Sequence, residues 1–362
     1  MTTGDAPRAA SAMDREIHDI PATVAALLDR VGPEVAAAAE DFRAERPAWI
    51  TIVARGSSDH AAVYARYLIE TVLGIPTGLA APSVLTAYGA RLRWADGAVI
   101  AISQSGQSTD VVEVARAARD AGAVTLAITN DPASPVAGAV HRVVLCRAGR
   151  EDAVPATKTY VTQLVAAASF VATLAEDGAL LSQLRRVPEV ASQTLIAAER
   201  WIADPEAGGA AVDAIASVGR AIIVSRGFNL ATALEIGLKL KETARVFAEA
   251  YSAADVLHGP MVLADDAVPM LVVRPEGPVA SSIDAASAAA GRRGTEPWVI
   301  GIGEGGADRP RPRDLSLATG LQESLTPIVG VLPGYLLAEA SARRLGLDPD
   351  APAGLQKVTK TR

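Results

Sequence analysis

Three ionisable side chains in the second half of the chain have a spacing that could bring them together in a catalytic site. Glu235, Lys239 and Glu242 follow one another at intervals of four and three residues. On a helix this spacing puts all three on one face, so they can address one substrate. A carboxylate in a dry pocket is suited to moving a proton on and off carbon. The same spacing is also typical of a solvated charged stripe, worth only a few tenths of a kcal/mol.

A histidine follows this segment in a setting that predicts a turn. His258 stands in Leu257-His258-Gly259-Pro260, sixteen residues past Glu242. Glycine and proline argue against a helix interior, so the imidazole is expected on a loop from which it could reach over a site. A single loop histidine is also often structural or merely exposed.

The sharpest motif is a hydroxyl-rich loop, Ser103-Gln104-Ser105-Gly106-Gln107-Ser108-Thr109-Asp110. It follows a predicted strand, Ala98 to Ile102, and precedes an amphipathic helix. Serine hydroxyls, loop amides and a helix N-terminus together form a cradle for a phosphate group, and glycine permits close approach of the backbone. The loop has neither the ending of a Walker motif nor the dinucleotide-binding GxGxxG pattern, which disfavours NTP and NAD. The alternative interpretation is a serine-rich helix cap.

A second loop, Arg55-Gly56-Ser57-Ser58, follows the first predicted strand of the same half. Both loops are therefore expected at the carboxyl edge of one parallel sheet, where α/β folds bind ligands. The corresponding place in the second half reads Arg274-Pro275-Glu276-Gly277, which offers no hydroxyl and an acid that would repel phosphate. We expect only the first half to bind phosphate.

Strand-like and helical runs alternate along the chain, which predicts doubly wound, mainly parallel sheets flanked by helices in an α/β fold. The low aromatic content, 4%, fits a core of Ala, Val, Leu and Ile covered by helices. The predicted strands are Ile50 to Ala54, Ala98 to Ile102, Val124 to Thr129, Val143 to Cys146, Pro269 to Val273 and Trp298 to Ile302. The predicted helices are Ile20 to Leu28, Pro33 to Ala44, Asp59 to Leu73, Asp110 to Ala121, Lys158 to Leu174 and Leu181 to Asp204.

The two halves begin alike, which predicts an internal duplication. Residues 49–56 read WITIVARG and residues 220–227 read RAIIVSRG, and a helix is expected after each. Gly208 and Gly209 mark the expected seam. The predicted organisation is a lead-in (1–35), a phosphate-binding domain (36–180), a helical linker (181–208), a domain with the acid and base groups (209–346) and a tail that closes over the site (347–362).

Bulk properties exclude several classes of function. A net charge of −7 argues against a broad nucleic-acid surface. Cys146 is the only cysteine, so neither an internal disulfide nor a thiolate metal cluster is expected, and a reducing cytosol fits. The N-terminus has no apolar signal-like region, and no run of about 18 apolar residues occurs, so no membrane span is expected. No metal or other cofactor is predicted.

Taken together, the motifs resemble the isomerase half of glucosamine-6-phosphate synthase and its SIS-domain relatives. The resemblance covers nearly the whole chain and implies two tandem SIS domains. The segments that carry it are ISQSGQSTD at Ile102 to Asp110, ALEIGLKLKE at Ala233 to Glu242, AEAYSAADVLHGP at Ala248 to Pro260 and LQKVT at Leu355 to Thr359.

The resemblance implies a sugar-phosphate pocket in the first domain. One difference stands out, because Ala156 replaces a serine that is typical of the synthase, which removes one hydroxyl and bears on sugar preference. The pocket residues implied are Gly56, Ser57, Ser58, Ser103, Gln104, Ser105, Ser108 and Val154.

The resemblance also implies catalytic roles. Glu242 would move a proton between C1 and C2, His258 would assist ring opening, and Lys357 of the tail would engage the open-chain carbonyl. Glu235 and Lys239 match supporting residues of the site. A homodimer is expected, in which each subunit donates His258 to its neighbour's site.

The resemblance leaves several reactions open. The chain begins Met1-Thr2 and has no cysteine before Cys146, so it is not expected to hydrolyse glutamine. The expected reaction interconverts glucosamine 6-phosphate and water with fructose 6-phosphate and ammonia. Alternatives are a deaminase or deglycase acting on galactosamine or fructosamine 6-phosphate, an isomerase or aminotransferase lacking a glutaminase, and a non-catalytic sugar-phosphate sensor.

Overall fold

A computed structural model describes residues 10–265, 267–303 and 311–357 of the chain. The first nine residues of the predicted lead-in lie outside the described residues. So do the last five residues of the predicted tail, including Val358 and Thr359 of the LQKVT segment.

The first sheet is fully parallel, with strand order β2-β1-β3-β4-β5. The strand order reverses beside β1, so the loops after β1 and β3 open into one crevice at the carboxyl edge. All seven residues of β3 and all six of β4 are buried, as expected for strands covered on both faces. The strands are β1 (Trp49–Val53), β2 (Thr77–Leu79), β3 (Gly97–Ser103), β4 (Val124–Thr129) and β5 (Arg142–Leu145).

The second sheet repeats this arrangement strand for strand. Its order is β7-β6-β8-β9-β10, again fully parallel, so the second domain has the topology of the first. The predicted α/β fold with two tandem domains is confirmed. The strands are β6 (Arg220–Ser225), β7 (Phe247–Ser252), β8 (Met270–Pro275), β9 (Trp298–Gly303) and β10 (Leu315–Ala318).

Helices cover the sheets and fill the space between the domains. One continuous apolar core joins the two halves and includes Ile50 and Ile100 of the first sheet and Ile223 and Ile300 of the second. The α-helices are α1 (Ala12–His18), α2 (Ile20–Leu28), α3 (Gly32–Glu45), α4 (Ser57–Leu73), α5 (Ser83–Thr86), α6 (Thr109–Asp120), α7 (Pro135–Gly138), α8 (Lys158–Leu174), α9 (Gly178–Leu184), α10 (Val187–Ala203), α11 (Gly208–Val218), α12 (Leu230–Ala244), α13 (Ala253–Leu257), α14 (Ala280–Gly291), α15 (Thr326–Gly330) and α16 (Leu332–Arg344).

Several elements differ from their predicted form. The stretch predicted as one helix from Leu181 to Asp204 is two helices, α9 and α10. Gly208 and Gly209, expected to mark a seam, lie in the first turn of α11. The short strands β2, β7 and β10 were not predicted, because each is a sheet edge without a continuous apolar run.

One helical stretch of the described residues, Glu323–Arg344, is long and apolar enough to cross a membrane by length and composition alone. Its most apolar window is 94% buried inside the protein. The stretch therefore packs as part of the core, where α16 contacts α10, α11 and α12.

Candidate active site

The three ionisable residues of α12 meet in the structure, with the lysine between the two acids. Nζ of Lys239 forms a short ion pair with Glu242 and lies 3.4 Å from Oε1 of Glu235. Neither Lys239 nor Glu235 is exposed to solvent, whereas the side chain of Glu242 is 22% exposed. The solvated-stripe interpretation is wrong for this helix, and Glu242 is the member of the group that a ligand can reach.

The acids of α12 keep the lysine charged. Burial alone would lower the pKa of Lys239, but the nearby carboxylates of Glu235 and Glu242 more than offset it, so its pKa lies above the usual value. Glu151 acts in the same direction from another element. The lysine is therefore a permanent cation that orients Glu242.

The first domain contributes directly to this cluster through the start of α4. Lys239 Nζ donates to Oγ of Ser57 over 3.1 Å, and Nδ1 of His60 lies 2.8 Å from Oε2 of Glu235. Tyr335 of α16 also reaches Glu235, with its hydroxyl 3.4 Å from Oε1. Sequence reasoning missed His60 and Tyr335, because neither lies in a motif and both are far along the chain from α12.

Two glycines shape the hydroxyl loops of the first domain. Gly56 precedes α4 with φ of +57°, and Gly106 lies between β3 and α6 with φ of +62°. At Gly106 an added Cβ would sit 2.3 Å from Oγ of Ser134, so no other residue fits without a shift. The glycines thus let both loops turn sharply where α4 and α6 begin, and both helix N-termini face the carboxyl edge of the sheet.

The hydroxyls of the loop after β3 are arranged as donors. Ser103 Oγ accepts from the Gly106 amide over 3.1 Å, and Ser105 Oγ accepts from the Gln107 amide over 3.3 Å. Each hydroxyl hydrogen therefore remains for a ligand. Ser108 is the N-cap residue of α6 but its side chain makes no capping bond, which counts against the helix-cap interpretation.

The backbone of this loop is tied to its neighbours. The carbonyl oxygen of Gln104 accepts from the Asn130 amide over 3.1 Å, and that of Gly106 accepts from the Val136 amide over 3.0 Å. Arg55 bonds Asp110 through Nε at 2.8 Å and Nη2 at 2.6 Å, which links the loop after β1 to α6. These bonds hold the two loops in a fixed relation.

Ser58 is oriented by a residue that sequence reasoning did not find. Nε2 of Gln163, on α8, donates to Oγ of Ser58 over 3.0 Å. The serine therefore keeps its own hydrogen for a ligand. Gln163 Oε1 is buried without a partner among the described residues, as are the hydroxyls of Thr157 and Tyr160 on the same side of the site.

Replacing Gln163 by Leu is expected to weaken binding of inorganic phosphate by about 5- to 10-fold, the value of one modest hydrogen bond. Ser58 would lose its donor and could turn its hydrogen towards another acceptor. The unfolding midpoint in urea should hardly change, because loss of the bond to Ser58 is offset by removal of Oε1, which is buried without a partner among the described residues. Calorimetric titration checks the affinity, with Gln193→Leu on the exposed face of α10 as the matched control. Equal affinity of the two variants would show that Gln163 does not orient Ser58.

The corresponding edge of the second sheet is occupied by acids. Glu323 lies over Gly277, so that a Cβ added to that glycine would sit 2.2 Å from Oε2. Burial raises the pKa of the Glu323 carboxyl. Glu276 crowds Gly303 in the same way, with a carboxylate oxygen 2.2 Å from an added Cβ. This geometry supports the expectation that phosphate binds only in the first domain.

The tail approaches the site beside α8. Nζ of Lys357 lies 2.6 Å from Oε2 of Glu151 and 2.6 Å from the carbonyl oxygen of Ala153. Val154 is anchored next to it, because its amide donates to the carbonyl oxygen of Asp350 over 2.8 Å. Lys357 and Val154 are therefore neighbours in space.

Glu151 connects the tail to the acid–base cluster. The carboxylate is buried and also accepts from the amides of Thr157 and Thr159, over 2.9 Å and 3.1 Å. The Thr157 carbonyl lies 3.5 Å from the hydroxyl of Tyr335, which reaches Glu235. Sequence reasoning missed Glu151; its place three residues before Val154 was the available signal, and its burial is visible only in the structure.

His258 is a predicted catalytic residue that a single chain leaves away from the cluster. It follows α13, its side chain is exposed, and it has no side-chain hydrogen bond or ion pair within the described residues. Leu257, Val262 and Leu263 around it are exposed as well. An exposed apolar surface around a candidate catalytic group is typical of an interface.

Two further features concern metals and the cysteine. In the part of the chain that the structure describes, no group of three or more His, Cys, Asp or Glu residues could hold a metal ion. Cys146 is a free, buried thiol, and burial raises its pKa to about 12.

Comparison with protein families places these motifs in a known context. The model of the SIS domain matches residues 46–173 and 214–306, one segment in each half of the chain. A glutamine–fructose-6-phosphate aminotransferase (isomerizing) from Methanothermobacter thermautotrophicus is 33% identical over 95% of this chain and 56% of its own length. The chain thus spans little more than half the length of this relative.

Solved structures share the fold over nearly the whole chain. A protein of Silicibacter pomeroyi assigned as a phosphosugar isomerase is 34% identical, with a TM-score of 0.83, and the match covers 94% of this chain and 100% of that one. The C-terminal domain of glucosamine-fructose-6-phosphate aminotransferase from Francisella tularensis has a TM-score of 0.81 at 24% identity, covering 97% and 100%. A glucosamine-6-phosphate deaminase from Thermotoga maritima has a TM-score of 0.75 at 20% identity, covering 97% and 100%.

Proposed function

Because the chain belongs to the SIS domain family, we propose that it is an enzyme acting on sugar phosphates, and specifically a glucosamine-6-phosphate deaminase. It would convert glucosamine 6-phosphate and water to fructose 6-phosphate and ammonia, or the reverse. The proposal also places the protein in the cytoplasm, in line with its single buried thiol.

One observation carries the proposal: the Glu235–Lys239–Glu242 group of the second domain contacts the hydroxyl-bearing loop of the first, through the bond from buried Lys239 to Ser57. A binding protein has no need of a carboxylate held by a permanently charged lysine beside a phosphate cradle. In this arrangement the hydroxyl-bearing loops would bind the phosphate end of a sugar, and Glu242 would act as a base on its carbon chain.

Glu242 would act as the base that moves a proton between C2 and C1 of the sugar. In the open-chain aldehyde form of the amino sugar, Glu242 would take the proton from C2 while O1 gains a proton, which gives an enolamine. Return of the proton to C1 with loss of a proton from the nitrogen gives a ketimine with its double bond between C2 and nitrogen. Water then adds at C2, and ammonia leaves to give the ketone. The Lys239 ammonium forms a short ion pair with Glu242 and would hold its carboxyl group in place between turnovers.

Lys357 would act at the carbonyl end of the substrate. Its ammonium is held by Glu151 and the Ala153 carbonyl, next to Val154. When a sugar occupies the pocket, this side chain could exchange those contacts for the C1 carbonyl and hold the open-chain form. The tail would then close over the substrate, as the sequence predicts.

His258 would enter the site from a second subunit. Within one chain it stands exposed and apart from the Glu242 cluster, so a ring-opening role requires a partner copy. The apolar residues Leu257, Val262 and Leu263 around it provide the surface for such a homodimer.

Mixing two inactive variants tests this composite site. Glu242→Gln and His258→Ala are each expected to lack most of the activity. Subunit exchange between them should restore about a quarter of the wild-type rate, since half the dimers are mixed and each mixed dimer has one complete site. Mixing His258→Ala with the double variant should restore nothing. No recovery in the first mixture, with exchange verified, would place His258 and Glu242 of the same chain in one site.

The assay that tests the function measures ammonia from purified protein given glucosamine, galactosamine or fructosamine 6-phosphate. Release from glucosamine 6-phosphate with formation of fructose 6-phosphate would support the proposal. Ammonia from another of these sugars would reassign the substrate. Conversion of sugar phosphates without ammonia would indicate an isomerase, and binding without turnover would indicate a sensor. Glu242→Gln protein in the same assay controls for a contaminating enzyme.

A further inference from the structure

We propose that His60 is a positioning residue of the acid–base cluster, which acts by donating a hydrogen bond from Nδ1 to Glu235. The inference rests on the proposed function, since it assigns His60 a part in turnover. His60 lies in the first turn of α4, in the first domain, whereas Glu235 lies on α12 of the second. The bond therefore crosses between the two domains inside the site.

Glu235 depends on this bond more than on its other contacts. Its carboxylate is fully buried, and Nδ1 of His60 lies 2.8 Å from Oε2. The contacts to the other oxygen are longer, with Lys239 Nζ and the Tyr335 hydroxyl both 3.4 Å from Oε1. His60 thus supplies the one short bond to Glu235 and the one partner of Oε2 among the described residues. An ionised carboxylate oxygen without a partner is costly in a buried place.

The lysine transmits the effect of His60 to the base. Lys239 is shared between Glu235 and Glu242, and its position sets the orientation of Glu242. Because His60 donates a hydrogen bond to Oε2, Glu235 stays in place. Lys239 Nζ can then lie closer to Glu242 than to Glu235. Without His60, Oε2 of Glu235 would lose its partner and the carboxyl group would rotate towards Lys239. That rotation alters the contact between Lys239 and Glu242, so turnover would fall without loss of the phosphate cradle.

Three variants separate positioning from a general structural role. His60→Ala is expected to lower kcat by about 10- to 100-fold, the value of one hydrogen bond to a charged group, with KM changed less than about 3-fold. His60→Asn should recover most of kcat, because the asparagine amide stands where Nδ1 stands in histidine. His60→Gln should not, since its amide reaches the place of Nε2. His141→Ala is the matched control, a histidine of the same domain whose Nδ1 bonds Thr125.

Two kinetic results would overturn the proposal. Wild-type kcat in His60→Ala would do so, as would equal recovery in the asparagine and glutamine variants. A structural role alone would lower the urea midpoint of His60→Ala without a selective loss of kcat.

A measurement without substrate distinguishes failure of this inference from failure of the proposed function. The chain has four histidines, so the ring nitrogens of His60 can be identified by NMR of labelled full-length protein against the His60→Asn variant. The proposal requires a proton on Nδ1 of His60. A neutral ring with the proton only on Nε2 would overturn it, whether or not the protein turns over any sugar phosphate. If Nδ1 carries the proton but no sugar phosphate reacts, the hydrogen bond stands and the catalytic part falls together with the proposed function.

Discussion

Glu242→Gln is expected to reduce turnover of glucosamine 6-phosphate by about 10²- to 10⁴-fold, the range for loss of a general base. Glutamine has nearly the size of glutamate, and its amide oxygen can still accept from Lys239, so the pocket should keep its shape. Binding of fructose 6-phosphate should change less than about 3-fold, which calorimetric titration would measure.

The control for this variant is Glu249→Gln. Glu249 lies on β7, half exposed, and within the described residues its ion pair is with Lys241 at 3.3 Å. This change removes a carboxylate of the same domain without touching the cluster, and the rate should stay at the wild-type level. Full turnover by Glu242→Gln would mean that another group moves the proton.

Lys239→Met is expected to destabilise the protein by about 3–5 kcal/mol, because removing one partner of a buried ion pair leaves the other charges uncompensated. The side chains of Lys239 and Glu235 are fully buried, and Glu242 would lose its short ion pair. Methionine fills much of the lysine's volume, so the loss would come mainly from charge. The midpoint of urea denaturation measures it, and turnover should fall as well.

Lys241→Met, two residues along the same helix, is the matched control. Lys241 is exposed and its pair with Glu249 lies at the surface, so a cost of at most about 1 kcal/mol is expected. Adding Glu235→Gln to Lys239→Met should restore part of the lost stability, since it removes one uncompensated charge. Equal midpoints for the two lysine variants would contradict the view that α12 carries a buried ion network.

Local features of the chain were predicted well where one physical cause dominates. Val124–Thr129 and Lys158–Leu174 have the predicted ends, because the first is a short, fully buried run and the second a long, mostly buried helix, and burial sets both. The loop at Gly106 was predicted from its glycine, its hydroxyls and its place after a buried strand. The edge strands Thr77–Leu79 and Leu315–Ala318 were missed because they are short and partly exposed.

In the candidate site, too, some features follow from local sequence and others only from tertiary packing. The sequence by itself determined that Glu235, Lys239 and Glu242 share a helix face, since a helix repeats every 3.6 residues wherever it lies. Periodicity could not show whether that face is exposed to solvent or buried. The packing of α12 against α4 and α16 determines that Glu235 and Lys239 are buried. Tertiary structure alone brings His60 to Glu235 across 175 residues and Lys357 to Glu151 across 206. Such contacts depend on how distant parts of the chain pack together, and the spacing of residues along the sequence does not reveal that packing.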